Sequence, residues 1–435
     1  MTTARVILWG SDIGAVTWVA DRELGVFQYT PAFATSGIEV SPMTMPLRET
    51  PYEFPDLPRG TFKGLPGLLA DSLPDKFGNA IIDSWLASQG RTAASFNPVE
   101  RLCYIGTRGM GALEFKPVLS AAPGASRRID VEALVQLANR VLDERVGLHG
   151  KLAGDEDTRA IEDMLRVGTS AGGARAKAIV AWNEASGEFR SGQVPVDEGF
   201  SHWLIKFDGV HGNRDRELAD PMGFGRIEYA YHLMAVAAGI EMPACRLYEE
   251  GGRAHFMTRR FDRTSSGDKL HMQSLGAMMH YDFNQADGYA YEQAVQVIRR
   301  LSLPMVDAEQ QVRRAVFNVL ARNQDDHVKN IALLMDRSGR WRLSPAYDVA
   351  YAYNPDGQWT SQHQMSINGK RRGFLMDDLF SLAAVAGIKR ARAQQIVDEV
   401  ANALREWPLW AAQSGIGESD VQRIAHSFRL HVLSD

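Results

Sequence analysis

The stretch ARNQDDHVKNIALLMDRSGRWRLSPAYDVAY, residues 321–351, is the densest polar segment of the chain and follows an apolar helical pattern. It places Asp325 five residues before Asn330, and Asp348 follows after a predicted hairpin. Phosphoryl transfer to a hydroxyl needs a carboxylate that orients the acceptor and oxygen ligands that hold Mg²⁺ on the phosphates. An Asp followed by an Asn is also common in helix caps and turns, so the segment by itself leaves both interpretations open.

Features upstream of this segment favour the first interpretation. A Gly-rich turn precedes a predicted strand, Lys206 lies inside the apolar strand HWLIKF, and Glu228 lies in the next predicted helix. An unpaired buried ammonium is costly, so Lys206 needs a partner, and Glu228 is a candidate, although a solvated helix position is the alternative. A Gly-rich turn, Lys, Glu, Asp, Asn and Asp follow one another in the order that protein kinases use.

Composition limits the class of protein. The chain has 435 residues, 45% hydrophobic and 23% charged, which is globular and long enough for two or three domains. The formal net charge of −5 offers no overall attraction to nucleic acid or to an anionic membrane. No apolar run approaches the ~18–20 residues of a membrane span and no secretion signal is recognisable at the start, so we expect a soluble, cytoplasmic protein without membrane contact.

The cysteines and histidines give no metal signature. Cys103 and Cys245 lie far apart and outside any CxxC spacing, and no HExxH pair occurs. A disulfide framework and a thiolate zinc site are therefore not expected, and both cysteines are predicted to be buried apolar residues.

The pattern along the chain predicts short strands in the first 60 residues, then a helix capped by Ser72 and ended by Gly90. The glycines of GTRGMGAL, residues 106–113, are interpreted as a hairpin turn because no βαβ unit surrounds them. Later elements suggest a strand-rich lobe followed by a helical lobe, with predicted helices at 131–142, 157–166, 225–239, 289–301 and 308–321 and strands at 178–182 and 202–207.

These residues resemble the HipA-like serine/threonine kinases, the toxin components of bacterial toxin–antitoxin pairs. The resemblance covers nearly the whole chain. Its motifs are LPGLLADSLPDKFG (65–78), TSAGGARAKA (169–178), IEYAYHLMAVAAGI (227–240), RRFDR (259–263), NQDDHVKN (323–330), SPAYDVAY (344–351) and MSINGK (365–370).

The resemblance implies an α+β, protein-kinase-like two-lobed fold, with a strand-rich N-lobe, a helical C-lobe and an additional N-terminal α/β subdomain. The implied domains are 1–120, the N-terminal subdomain; 121–260, the kinase N-lobe with the phosphate loop; and 261–435, the C-lobe with the catalytic and metal-binding loops.

The resemblance also implies a role for each matching residue, with ATP and Mg²⁺ as cofactors. Asp325 would be the catalytic base, supported by His327 and Lys329, and Asn330 and Asp348 would bind Mg²⁺. Residues that would contact ATP are Ser170, Ala171, Gly172, Gly173, Ala174, Lys177, Lys206, Glu228, Arg259 and Phe261, and Ser170 would be autophosphorylated, which displaces the loop and switches the kinase off.

Two positions depart from the family pattern. Many members have Glu before Arg-Phe-Asp-Arg near the adenine, where this chain has Arg259. The segment after His271 reads MQSLGAM instead of an acidic pattern, which indicates a divergent branch with a different protein substrate.

Two other functions are compatible with parts of the sequence. GTSAG, residues 168–172, fits G-x-S-x-G, but a hydrolase nucleophile elbow needs a strand before the serine and a helix after it, the reverse of the predicted order. The second alternative is a kinase-like binding protein that acts mainly in a DNA-bound antitoxin complex with weak catalysis. The partners implied are a protein substrate, such as a translation component, and a small helix-turn-helix antitoxin, with DNA reached only through the antitoxin because of the net charge of −5.

Overall fold

The computed structural model describes residues 1–119, 129–147, 175–192, 198–210, 214–215, 218–219 and 222–433. The predicted helix 157–166 lies outside these residues. The strands are β1 Thr2–Leu8, β2 Ser11–Val19, β3 Leu24–Tyr29, β4 Leu113–Lys116, β5 Lys177–Asn183, β6 Glu188–Ser191, β7 Ser201–Lys206, β8 Arg214–Asp215, β9 Leu218–Ala219, β10 Cys245–Glu250, β11 Arg253–Arg259, β12 His271–Ser274, β13 Tyr289–Ala290, β14 Ala332–Met335, β15 Trp341–Leu343 and β16 Met365–Ser366. The α-helices are α1 Pro31–Ala34, α2 Arg59–Phe62, α3 Gly67–Ala70, α4 Lys76–Ser88, α5 Pro98–Ile105, α6 Val131–Gly147, α7 Phe224–Ala237, α8 Leu275–Met279, α9 Tyr291–Arg300, α10 Met305–Leu320, α11 Met376–Val385, α12 Arg390–Arg405, α13 Trp407–Ser414 and α14 Glu418–Ser427.

The N-terminal sheet is antiparallel, in the order β3-β2-β1-β4. Buried positions recur along β1, where Ala4, Val6 and Leu8 face the core while Arg5 is exposed. This period-2 pattern is what a sheet with one covered face requires.

The central sheet is also antiparallel, in the order β10-β11-β7-β5-β6. Helix α7 packs against β10 and β11. Its inward face carries Ile227, Ala230 and Met234, at the spacing of one helical face, and all three are buried. The sheet followed by mostly helical structure confirms the predicted α+β class.

The rest of the chain is a helical lobe built around α10, α12 and a three-stranded sheet of order β12-β14-β15. Side chains of α10 such as Val312, Val316 and Val319 lie in its core. Within the described part of the chain, no helix is both long and apolar enough to cross a membrane. Both cysteines, Cys103 and Cys245, are buried and free, as predicted.

The N-terminal region, residues 1–119, contributes to cores beyond its own sheet. Helix α4 packs its Phe77 and Ile81 into the same cluster as Val180 and Ile205 of the central sheet. The N-terminal sheet in turn packs against Met335 of the helical lobe. The predicted domain boundaries at 120/121 and 260/261 stay predictions.

Close contacts join the N-terminal region to the helical lobe. Asp71 accepts hydrogen bonds from the backbone N–H and the hydroxyl of Ser274, at 2.7 and 2.9 Å. The N–H of Gly67 donates to Nε2 of His280 at 3.0 Å. A Cβ at Gly67 would lie 2.2 Å from the carbonyl oxygen of Ala277, so glycine is required for this approach.

Two local predictions are wrong. The N-cap of α4 is Asp75, whose Oδ1 accepts from the N–H of Gly78 at 2.6 Å, and not Ser72, because the chain still turns between α3 and Pro74. The Gly-rich segment 106–113 does not form a hairpin: it connects α5 to β4, which pairs with β1. The glycines do lie in turns and bends, but the element before them is a helix and not a strand, so a hairpin is excluded.

A buried charge cluster centres on Asp262, which is fully buried. Its carboxylate accepts from Arg260 at 2.6 and 2.9 Å, from Arg263 at 2.9 Å and from the N–H of Gly111 at 2.7 Å. Burial alone would raise the pKa of this carboxyl, but the two guanidinium groups hold the pKa well below its usual range.

We expect Asp262→Asn to lower the free energy of unfolding by about 3–5 kcal/mol, because two buried guanidinium groups lose their counter-charge. Urea denaturation followed by circular dichroism measures this. The matched control is Asp268→Asn, whose side chain is exposed and pairs with Arg337 at 3.2 Å. That pair should contribute at most about 1 kcal/mol, and equal losses for the two variants would contradict the prediction.

Candidate active site

Lys206 lies at the end of β7 between two carboxylates. Its Nζ is 2.5 Å from Oε1 of Glu228, and it also donates to Oδ1 of Asp348. The Glu228 side chain is on the inward face of α7 and is 2% exposed. Burial by itself would lower the pKa of Lys206, but Asp348 and Glu228 outweigh it and raise the pKa, so the ammonium stays charged.

A second cation lies beside Glu228. Arg175 has Nη1 3.7 Å from Oε2 of Glu228, and its guanidinium is 3.3 Å from the ring centroid of Phe224. The resemblance placed Arg175 within the expected phosphate loop, the turn from Ser170 to Lys177, but gave it no role of its own. The signal was available, since the arginine lies two residues before Lys177 on the strand side of the Gly-rich turn.

Asp325 lies in the loop between α10 and β14. The amide nitrogen of Asn330 donates to the Asp325 carbonyl at 2.9 Å, which closes the loop around the short 3₁₀ helix Val328–Asn330. The indole N–H of Trp359 donates to Oδ1 of Asp325 at 2.8 Å, and Nε2 of His327 lies 3.8 Å from the same oxygen. The carboxylate is therefore held in one orientation and remains 27% exposed.

The neighbouring Asp326 points inward and anchors the loop. Its carboxylate contacts the Tyr291 hydroxyl, Nδ1 of His363 and the N–H of Gln364, each at 2.7 Å. Burial would raise the pKa of Asp326, but His363 and these hydrogen bonds lower it. His363 is held in turn by Arg429, at 2.8 Å. Sequence reasoning missed this network, whose one local signal was the second Asp of the Asp-Asp pair.

Asp348 follows the β14–β15 hairpin and has a left-handed backbone conformation, with φ at 52°. Burial would raise the pKa of its carboxyl, but Lys206 and then Lys177 lower it below its usual value. The preceding residue, Tyr347, donates its hydroxyl to the carbonyl of Lys329 at 2.7 Å. The loop of Asp348 and the loop of Asp325 are thereby fixed relative to each other.

Lys177 and Lys329 lie nearby. Lys177 begins β5, is 2% exposed, and lies 3.3 Å from Asp75 of the N-terminal region. The Nζ of Lys329 lies 5.2 Å from the ring centroid of Phe283, whose ring also packs against His327. Lys329, which belongs to the same loop as Asp325, thus packs against Phe283.

The structure brings together most of the predicted site. The residues that share one region are Lys206, Glu228, Asp325, His327, Asn330 and Asp348. Phe261 packs its ring 5.5 Å from that of Tyr347, while Arg259 is exposed at the end of β11. The predicted phosphate-loop residues Ser170, Ala171, Gly172, Gly173 and Ala174 lie outside the residues that the structure describes.

The donor set fits a magnesium ion bound together with phosphates. Because the Asn330 nitrogen is engaged by the Asp325 carbonyl, the Asn330 oxygen and the Asp348 carboxylate are the two protein ligands on offer. Magnesium in nucleotide sites commonly takes one or two protein ligands and completes its shell with phosphate oxygens and water. Among the described residues no group of three or more His, Cys, Asp or Glu side chains could hold a metal ion.

One buried polar atom also fits a nucleotide. Nδ1 of His327 is buried and, within the described part of the chain, has no hydrogen-bond partner, although the side chain lines the cavity that Asn330 and Asp348 also line. A buried nitrogen normally has a partner, and a phosphate oxygen would supply one. Lys206 and Arg175 carry positive charge, which would attract a triphosphate.

Fold and site together define a kinase-like, two-lobed α+β protein, as predicted. Residues 4–116 match the family model of the HipA N-terminal domain, and residues 169–407 match that of the HipA-like C-terminal domain. The chain belongs to the HipA family.

A solved structure from Shewanella oneidensis MR-1, the toxin–antitoxin protein HipA in complex with HipB and operator DNA, matches with a TM-score of 0.67 and 18% identity. The match covers 99% of this chain and 96% of that one. At this identity the likeness concerns the fold.

Two proteins of Sinorhizobium fredii, each provisionally named a kinase, are 26% identical in sequence. Y4mE matches over 125 residues, 27% of this chain and 30% of its own length. Y4dM matches over 234 residues, 51% of this chain and 54% of its own length. The chain therefore spans about a third and about half of these two relatives.

Proposed function

We propose that this protein is an ATP- and Mg²⁺-dependent serine/threonine protein kinase of HipA type. The observation that carries the proposal is the position of Lys206 between Glu228 and Asp348. A Lys paired with a helix Glu and set beside a metal-binding Asp is what a kinase must assemble before transfer.

Each residue then has a chemical task. Lys206 and Arg175 attract the phosphates, while Asn330 and Asp348 hold the metal, which neutralises charge on the transferred phosphoryl group when it is bound. Asp325 orients the acceptor hydroxyl and accepts its proton. The Trp359 N–H donates to Oδ1 of Asp325 and so helps to orient the carboxylate.

The proposed biological role extends to partners. We propose a growth-inhibiting toxin that phosphorylates a cytoplasmic protein, such as a translation component, and autophosphorylates Ser170. The Shewanella oneidensis relative was solved with HipB and operator DNA, which supports a small helix-turn-helix antitoxin as the partner of this chain. With a net charge of −5, contact with DNA is proposed to pass through that antitoxin.

Intact-mass spectrometry after incubation with Mg²⁺-ATP tests the proposal. We expect the wild type to gain one phosphate, mapped to Ser170 by peptide analysis, and the Asp325→Ala variant to gain none. A wild type that binds ATP without acquiring phosphate, and without transferring it to any protein added in trans, would instead support the kinase-like binding protein.

A further inference from the structure

Two lysines lie opposite each other on neighbouring strands of the central sheet. Lys177 on β5 and Lys206 on β7 are direct partners in the antiparallel register. Side chains of directly opposed residues project from the same face, with Cβ atoms about 5 Å apart, and like charges there repel. Both ammonium groups are largely buried, with side chains 2% and 12% exposed, so solvent screens the repulsion poorly.

Carboxylates from three different parts of the chain balance these charges. Lys206 is paired with Glu228 of α7 and with Asp348 of the helical lobe. Lys177 is paired with Asp75, and Nζ and Oδ2 are 3.3 Å apart. The Asp75 side chain is 3% exposed, so the N-terminal region places a buried anion beside the proposed phosphate site.

The orientation of Asp75 is fixed by a separate bond. One oxygen, Oδ1, caps α4 by accepting from Gly78, which leaves Oδ2 towards Lys177. Oδ2 is buried and has no hydrogen-bond partner among the residues that the structure describes, and the lysine is its ion-pair partner. Burial raises the pKa of Asp75 above its ordinary value, and the neighbouring Lys177 ammonium opposes that rise.

We infer that Asp75 is a positioning residue for the kinase reaction: it holds the Lys177 ammonium in place at the phosphate end of the nucleotide site. The N-terminal region then contributes a positioning residue to the nucleotide site. The inference rests on the proposed function, because it takes Lys177 to be a residue that contacts the phosphates of ATP.

A double-mutant cycle tests the inference. Asp75→Asn removes the charge and keeps a side-chain oxygen that can cap α4. The dissociation constant for a non-hydrolysable ATP analogue with Mg²⁺ is measured for wild type, Asp75→Asn, Lys177→Met and the double variant. We expect about tenfold weaker binding for each single variant, and a double variant no weaker than Lys177→Met alone, since Asp75 acts through Lys177.

A matched control variant lies on α4, the helix that Asp75 caps. Asp83→Asn breaks an ion pair with Arg101, 2.8 Å long and remote from Lys177, and should bind the analogue within twofold of wild type. Melting temperatures are recorded for every variant, because a purely structural role of Asp75 would lower the melting temperature without coupling to Lys177 in nucleotide affinity.

Binding by Asp75→Asn within twofold of wild type, or losses that multiply in the double variant, would overturn the inference while leaving the kinase assignment standing. A wild type that does not bind the analogue would overturn the proposed function and the inference with it. If Asp75→Asn does not fold, Asp75→Glu, which displaces the carboxylate by one methylene, takes its place in the cycle with the same expectation and the same criterion.

Discussion

Replacement of Asp325 by Ala should lower kcat for phosphate transfer by about 10²- to 10⁴-fold, the range that a positioned general base contributes. The Asp325 carboxylate is partly exposed in a loop whose anchor is the neighbouring Asp326, so the fold should survive the change. Initial rates with radiolabelled ATP measure the effect. The affinity for Mg²⁺-ATP should stay within about threefold, because Asn330 and Asp348 supply the proposed metal ligands.

The control for this experiment is Asp336→Ala. Asp336 is an acidic residue of the β14–β15 hairpin. Among the described residues, its carboxylate forms hydrogen bonds only within its own turn, with Ser338 and Arg340. It should leave kcat unchanged. Turnover by Asp325→Ala at more than a tenth of the wild-type rate would remove Asp325 from the role of base.

The second large effect is expected for Asp348→Asn, and it should appear in binding. The amide keeps the shape of the side chain, and Asn tolerates the left-handed backbone that residue 348 adopts. The variant loses the charge that faces both Mg²⁺ and Lys206. We expect affinity for ATP in the presence of Mg²⁺ to fall by about tenfold or more, a loss of ~1.4 kcal/mol per factor of ten.

Chelation of the metal sharpens this prediction. In EDTA, Asp348→Asn should bind ATP as well as the wild type or better, because a carboxylate that repels the phosphates has been removed. Isothermal titration calorimetry in both conditions gives the two constants. Equal losses with Mg²⁺ and with EDTA would show that Asp348 acts on the nucleotide without the metal. The exposed Asp398→Asn on α12 should change neither constant.

The sequence was sufficient to predict the parts of the site that have a local pattern. An apolar strand with one Lys predicted that Lys206 needs a partner, and the structure pairs Lys206 with Glu228. The spacing from Asp325 to Asn330 predicted a loop, and a hydrogen bond between these two residues closes it. Helical periodicity placed α7 at residues 225–239, close to the observed Phe224–Ala237.

The parts that could not be predicted depend on contacts between distant segments. Asp75 and Lys177 are 102 residues apart in the chain, and no periodicity indicates that a helix cap faces a strand end. The support of Asp326 by His363 and Arg429 is equally non-local. These contacts form only when the lobes pack together. The local sequence pattern therefore does not predict them.

The attachment of the N-terminal region to both lobes has a mechanical consequence. Helix α4 is embedded in the core of the central sheet, while Asp71 and Gly67 are hydrogen-bonded to the helical lobe. Only short stretches of chain separate these attachment points. The N-terminal region therefore links the two lobes and should resist their moving apart. If the proposed exchange of ADP for ATP requires the lobes to rotate apart, either this link must break at one attachment or the lobes must open by a smaller angle. The stiffness of the N-terminal region would then limit the rate of exchange.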